Sequence, residues 1–547
     1  MAVKRRTGVN ETGCVSTENS SPEAHFAGHL KNLTQIGKAL SAERNIDRLL
    51  EMIVDEARSF TNADGGTLYI IDEERKTLQF AIIQNDSLNV RMGGTAEKIT
   101  WPPVKLYNED GTPNYANVSS YAALSGEVVN ISDVYNAEKF DFEGTRNFDA
   151  KTGYRSQSML VVPMRNHEND IIGVLQLLNS QDTSTGKVTS FPIEYQRLTE
   201  SLASQAAVAL TNTILIKDLE NLFESFIKAI ATAIDEKSPY TGNHGRRVVD
   251  LTMSIAEVIN RAKEGHFRGI HFDKNQMNEL RIAAWLHDVG KVAVPEYVMD
   301  KATKLVSISD GIELLKTRIE VLKRDIDIRY SRSGESGGNI SSSDATPDGY
   351  EGEMESLKDD LDFIEDINRA SEFLSDEDLQ RIQSIARRIW SMDGKEMNFL
   401  TDDEIDNLSV RRGTLNDRER EIINSHTAIA FKMLSQIPFP QKLKNVPFFA
   451  TSHHERINGE GYPNGLKGDE IPIQARILAF ADVFEALTAS DRPYRKGNTL
   501  SQAIKILGFM VKDEHLDNDL FDLFMKEKIY LEYAKKELDP EQIDDDI

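Results

Sequence analysis

Cysteine is almost missing: Cys14 stands alone in 547 residues. A disulfide framework is excluded, and the usage fits a reducing compartment. Long apolar runs are missing too. None approaches the roughly 20 residues needed to cross a bilayer, so no membrane span is expected. Met1 to Ser21 is basic and then polar, without the apolar stretch of a secretory leader. These absences point to a cytoplasmic protein. Positive charge is also short: 64 Lys and Arg stand against 89 Asp and Glu, a net charge of −25. That opposes binding of a nucleic acid polymer, which needs a basic surface. A small phosphorylated ligand stays open, because metal ions and a few local Lys or Arg can reverse the field inside one pocket.

What is present is the composition of a globular protein, 39% hydrophobic and 28% charged. The length predicts two or three domains. Residues 1–29 are polar and read as a disordered tail. From there to about residue 215, helical and strand patterns alternate. Ile46 to Phe60 has helical spacing. Gly66 to Asp72 and Leu78 to Ile83 read as a hairpin, as do Ser158 to Met164 and Ile171 to Asn179 across the polar turn Asn166 to Asp170. Antiparallel strands flanked by helices predict an α+β domain.

Gly153-Tyr154-Arg155-Ser156, the strand ending at Pro163-Met164, and Ile172-Gly173-Val174-Leu175-Gln176-Leu177-Leu178-Asn179 resemble the second half of a GAF domain. The resemblance covers residues 30–215 and implies a sensor. Some GAF domains bind cyclic nucleotides and carry an Asn-Lys…Phe…Asp-Glu signature. Here Asn179-Ser180, Phe191 and Tyr195-Gln196 stand there, so Lys, Asp and Glu are all replaced. A cyclic nucleotide, another small ligand, or a ligand-silent dimerising sensor all remain open. Ser201 to Asp235 then keeps an apolar stripe at helical spacing. It is either the last helix of one domain and the first of the next, or a parallel coiled coil over 216–232 that makes a homodimer.

Residues 303–412 differ from their flanks. Ile312 to Tyr330 and Met354 to Ala370 are charged amphipathic runs around a Ser-, Gly- and Asp-rich segment, Ser331 to Gly352. An inserted antiparallel helical hairpin with a disordered tip is expected. On either side of it, five of the eleven histidines stand in tight motifs: His244, His287, His426, His453 and His454. His287-Asp288 closes an apolar helix, and His and Asp side by side can ligate one metal centre. His453-His454 closes another apolar segment, and adjacent buried imidazoles need polar partners. Gly459 to Gly465 is too rich in Gly and Pro for helix or strand and must be a shaped loop. Asp482 ends the apolar run Ala475 to Ala481 and is a candidate oxygen ligand.

Tyr240-Thr241-Gly242-Asn243-His244, His287-Asp288-Val289-Gly290-Lys291, His426, His453-His454-Glu455, Gly461-Tyr462-Pro463, Ala481-Asp482 and Arg492-Pro493-Tyr494 resemble, in order, the HD-GYP family of cyclic dinucleotide phosphodiesterases. The resemblance spans 233–302 and 413–530 and leaves 531–547 as an acidic tail. It implies an all-helical HD-type hydrolase acting on cyclic di-GMP, with cyclic GMP-AMP or a silent nucleotide-sensing module as alternatives. The implied metal ligands are His287, Asp288, His426, His453, His454 and Asp482, with Lys291 beside the reacting phosphate. His244, Gly461, Tyr462, Pro463 and Arg492 fall to substrate binding. Members with three metals carry Glu where this chain has Tyr240, so two divalent ions, iron or manganese, are expected. Such ions lower the pKa of a shared water and supply a nucleophile near neutral pH.

Overall fold

The computed structural model describes residues 34–237, 243–307, 309–335, 348–369, 373–392, 394–490 and 497–544. The chain divides into two compact units, 1–222 and 223–547. Among the described residues no helix is long and apolar enough to cross a membrane.

The first unit is built on an antiparallel sheet. Helix α1 (Ile46–Thr61) forms because Leu49, Leu50, Ile53, Val54 and Ala57 share one buried face, and Asn45 caps it by accepting the Arg48 N–H. The strands are β1 (Ala63–Asp72), β2 (Thr77–Asn85), β3 (Val90–Gly93), β4 (Val104–Lys105), β5 (Val129–Ile131), β6 (Met159–Arg165), β7 (Ile171–Gln181) and β8 (Val188–Thr189). Helices α2 (Val118–Ser125) and α3 (Glu143–Thr152) lie between β4 and β6. The order is β3-β2-β1-β7-β6-β5, with β4 on β2 and β8 on β7. Both hairpins expected from sequence form. The pairing of β1 with β7, Gly66 opposite Leu177, joins segments a hundred residues apart.

Period-two alternation divides the core. Leu160, Val162, Leu175 and Leu177 face α1 and Leu202, Ala206 and Leu210. Met159, Val161 and Val174 face the other way, with Val118 and Ala122 of α2 and with Phe140 and Phe142. The three residues on the first side belong to α4 (Ile193–Asp235), a single 43-residue helix. It runs through the segment expected as a connector and beyond it in both directions.

The second unit is helical. Its main core joins α5 (His244–Arg261), α6 (Lys274–Leu286), α15 (Ile473–Thr488), α16 (Leu500–Lys512), α17 (Asn518–Lys526) and α18 (Ile529–Glu537) around Phe480, Phe484 and Phe524. The segment read as an acidic tail is therefore different in its first half: Tyr533 and Ala534 are buried in this core. A second cluster joins Ile227 of α4, with Ile230 packed against it, to Ile282 and Leu286 of α6, Ala430 of α13 (His426–Leu434) and Phe449 of α14 (Val446–Thr451).

The insertion is more than a hairpin. Between the short α7 (Glu296–Met299) and α12 (Asp417–Asn424) come α8 (Ile312–Glu335), α9 (Asp348–Asn368), α10 (Asp376–Ala386), a β9–β10 ribbon (Ile389–Met392, Lys395–Asn398) and α11 (Asp402–Leu408). Leu315, Ile319 and Ile326 meet Leu357, Ile364 and Ile367, as the spacing predicts. Ile382, Ile385, Phe399 and Leu408 complete a separate core that two facing stripes alone do not have. Leu314, next to Leu315 on the same helix, is exposed. The tip expected as disordered is helical at its edges, to Glu335 and from Asp348; residues 336–347 lie outside the described residues.

Candidate metal centre

Each histidine of the cluster is placed by the end of a helix. His287 follows the last residue of α6, His453 follows α14 after one residue, and His426 opens α13. Their rings share one arrangement. The Nδ1–H of His287 donates to Ala284 O at 2.8 Å, that of His426 to Ile423 O at 2.6 Å, and that of His453 to Ala450 O at 2.6 Å. A carbonyl three residues back thus fixes the tautomer and leaves the Nε2 lone pair free. All three Nε2 atoms are buried without a hydrogen-bond partner. Buried polar atoms are seldom left so, and an imidazole anchored through Nδ1 with a free Nε2 is the usual state of a metal-ligating histidine.

The carboxylates complete the cluster. Asp288 lies 3.3 Å from His287 Nε2 through one oxygen and 3.6 Å from His426 Nε2 through the other. Asp482, on the buried face of α15, lies 3.8 Å from His287 Nε2. Among the described residues, three groups have ligand atoms within 4.8 Å of one another: His426, His453 and His454; His287, Asp288 and His453; and His244, His287 and Asp482. The donors are imidazole and carboxylate, the set that suits first-row divalent metals. Burial holds His426 and His453 below their ordinary pKa and brings His454 to about 4, so these rings are neutral and able to ligate.

His244 lies inside the cluster. Assigned from sequence to substrate, it stands between the two acids, 3.5 Å from Asp288 and 3.3 Å from Asp482 through Nε2. Its Nδ1 meets Glu485 at 2.5 Å, and Glu485 also accepts from Arg247 Nε at 2.6 Å. Burial works against charge on His244, but Glu485, Asp288 and Asp482 outweigh it and raise its pKa. Sequence reasoning missed Glu485. The available signal was its position one helical turn after Asp482.

Glycine brings the two separated motifs together. A Cβ on Gly290 would stand 1.8 Å from His426 O, so only glycine lets the 3-10 turn Val289–Ala293 lie against α13. Lys291, on that turn, reaches Asp288 with Nζ at 2.5 Å. Gly461 has a similar role: its Cβ would lie 2.5 Å from Glu455 Cα and 2.6 Å from His454 O. Glu455 shapes this loop by accepting the backbone N–H groups of Asn464 (2.7 Å) and Leu466 (2.9 Å). Tyr462 is thereby set with its ring centroid 4.8 Å from that of His454, and Pro463 follows at the loop's turn. Tyr240 and Arg492 lie outside the described residues.

The GAF domain family matches residues 45–210, and the HD domain family matches residues 402–520. The chain carries a GAF domain and an HD domain. The HD match contains His426, His453, His454 and Asp482 but begins after His244 and His287-Asp288, and it takes in the last helix of the segment read as an insertion. Three curated proteins are similar over part of their length. The 3'3'-cGAMP-specific phosphodiesterase 1 of Vibrio cholerae is 40% identical over 114 residues, 21% of this chain and 26% of that protein. The cyclic di-GMP phosphodiesterase of Thermotoga maritima is 36% identical over 133 residues, 22% of this chain and 36% of that protein. The cyclic di-GMP phosphodiesterase response regulator RpfG of Xanthomonas campestris is 39% identical over 104 residues, 19% of this chain and 26% of that protein. The chain thus spans about a quarter to a third of the length of these relatives.

The GAF domain has its own buried polar network. Asn179 accepts from the N–H groups of Gln157 (2.7 Å) and Ser158 (3.2 Å) and donates to Arg155 O and Tyr154 OH, both at 2.8 Å. Tyr154 OH in turn donates to Asp64 at 2.6 Å. Asn179 therefore pins the chain ahead of β6, which is a structural task.

Proposed function

We propose that the HD domain is a metal-dependent phosphodiesterase that hydrolyses cyclic di-GMP to pGpG or GMP, under control of the GAF domain. The observation that carries this is the set of three buried, partnerless Nε2 atoms converging with Asp288 and Asp482. The similar curated phosphodiesterases support the substrate class. Two divalent ions, iron or manganese, are assigned to His287, Asp288, His426, His453, His454 and Asp482; when bound, they supply Lewis acidity and a nucleophile at neutral pH.

The protein's own groups have separable roles. Asp288 offers one oxygen toward His287 and the other toward His426, so it can bridge two sites. Lys291 places positive charge at the same edge, where a non-bridging phosphate oxygen gains negative charge. Tyr462, half-buried beside His454, offers a flat face to a nucleobase or ribose, and Gly461 and Pro463 fix that face in place. His244, held by Glu485, presents Nε2 between the two acids. It can ligate a further ion or donate to a phosphate oxygen. Arg492 is assigned to substrate on the family resemblance alone.

Assay of the purified full chain with manganese or ferrous iron against cyclic di-GMP and 3'3'-cGAMP tests the reading. Hydrolysis of cyclic di-GMP is expected. Turnover of cGAMP alone would move the substrate to the second reading, which the 40% identity to a cGAMP-specific enzyme favours. No turnover of either would overturn the reading.

We also infer a homodimer through α4. Leu215, Leu219, Leu222 and Phe226 follow one another at spacings of four, three and four, and all are exposed. That is the seam of a two-stranded coil. Leu219→Asp with Leu222→Asp is expected to shift sedimentation from dimer to monomer; a monomeric wild type would contradict it.

A further inference from the structure

The end of α4 touches both early motif segments of the metal centre. Lys237, just beyond its last turn, donates from Nζ to three backbone carbonyls: Lys291 O at 3.1 Å, Val292 O at 2.6 Å and Val294 O at 2.6 Å. These close the turn Val289–Ala293, which follows directly on His287 and Asp288. Carbonyls at the end of a helical turn carry partial negative charge, and of the three, Lys291 O also accepts the Val294 N–H at 3.1 Å. One ammonium with three donors answers all three. Two residues earlier, the Asp235 carboxylate accepts the N–H of Gly245, the residue after His244. It lies 3.2 Å from where a Gly245 Cβ would stand.

The anchor behind these contacts is firm. Glu224 pairs with Arg281 of α6. Ile227 is buried in the cluster that α4 shares with α6, α13 and α14, and Ile230 and Ile234 pack against it. The turn itself is held less well. Val289 packs into that cluster and Gly290 seats one side of the turn against α13, but Val292 on the other side is half exposed, so that side depends on its polar contacts.

We propose that Lys237 is a positioning residue: it holds the turn Val289–Ala293 so that Asp288 and Lys291 face the histidine cluster. The side chain gives the helix beginning at Ile193 a direct hold on the site. A change at Lys237 would act on this turn first, ahead of the ligands from the later motifs. The kinetic part of this inference rests on the phosphodiesterase reading; the structural part does not.

The test uses the full chain carrying Lys237→Met or Lys237→Arg. Hydrogen exchange is followed in peptides covering 286–299 and 446–456, and kinetics are measured on cyclic di-GMP with manganese. For Lys237→Met, exchange over 286–299 is expected to rise while 446–456 stays unchanged. The same variant should lose about tenfold or more in kcat, in the range for groups that orient metal ligands. KM should stay within about twofold, since ground-state binding is untouched. Lys237→Arg should recover most of both. Unchanged local exchange, or unchanged kcat, overturns the inference. So does exchange that rises equally across the HD domain with a lower Tm, which marks a merely structural tie. If Lys237→Met does not fold, Lys237→Gln is measured in the same way. If the wild type hydrolyses no cyclic dinucleotide, the proposed function fails, and the exchange measurement alone decides the positioning of the turn.

Discussion

The GAF domain and the HD domain both bury polar side chains beside their cores, and they treat them in opposite ways. In the GAF domain Asp64, Tyr154 and Asn179 satisfy one another and the nearby backbone. In the helical unit that holds the HD domain, His287, His426 and His453 are satisfied at Nδ1 and left open at Nε2. The first pattern spends its hydrogen bonds on holding loops. The second orients donors and leaves their lone pairs for something else. Buried polarity alone does not separate structure from chemistry; the direction of the unpaired atoms does.

That contrast can be broken most sharply at the open pattern. Replacing His287 or Asp288 by Ala should lower cyclic dinucleotide hydrolysis by about 10³-fold, with loss of bound metal measured by mass spectrometry. Activity retained by both variants would remove the metal centre from the account. Next is Gly290→Ala. The added methyl meets His426 O, so the turn must move, at about 1–3 kcal/mol for overpacking. The expected readout is loss of metal together with a lower Tm. A variant that keeps both would show that the two motifs need no such close approach.

The closed pattern should respond differently. Tyr154→Phe leaves Asp64 and Asn179 short of a partner, at about 1–3 kcal/mol. Calorimetry should show a lower GAF transition, with metal content unchanged. The smallest effect belongs to Glu224 of α4, a paired group within the second unit. Its hydrogen bonds from Arg281 bring its pKa down to about 2. The folded value lies below the unfolded one, so its contribution is present above the usual carboxylate range and is lost as pH falls toward 2. Glu224→Gln should remove that part of the acid sensitivity, worth under about 1 kcal/mol at this partly exposed site, and leave metal content alone.

Much of this was legible in the sequence, for identifiable reasons. The helix over Ile46–Thr61 and the two hairpins follow from periodicity, and the structure has all three. His287-Asp288 and His453-His454 stand out as polar residues closing apolar segments, and they lie together with His426 and with Asp482, although Asp482 falls within α15 and not at its end. What could not be read was contact at long range. The β1–β7 pairing leaves no mark in local spacing. Nor does the Glu485–His244 contact, which spans 241 positions. Lys237 looks like a surface lysine until its three carbonyl partners are located. The insertion was half legible, because Leu315 and Leu357 lie on periodic stripes while Phe399, in its core, follows a short ribbon.

The most direct test is the metal content of the purified chain after reconstitution with manganese, measured beside the His287→Ala variant. Two ions per chain are expected in the wild type, and a deficit in the variant that tracks its lost hydrolysis of cyclic di-GMP. A wild type that retains no metal, yet binds the dinucleotide tightly without cleaving it, would contradict this.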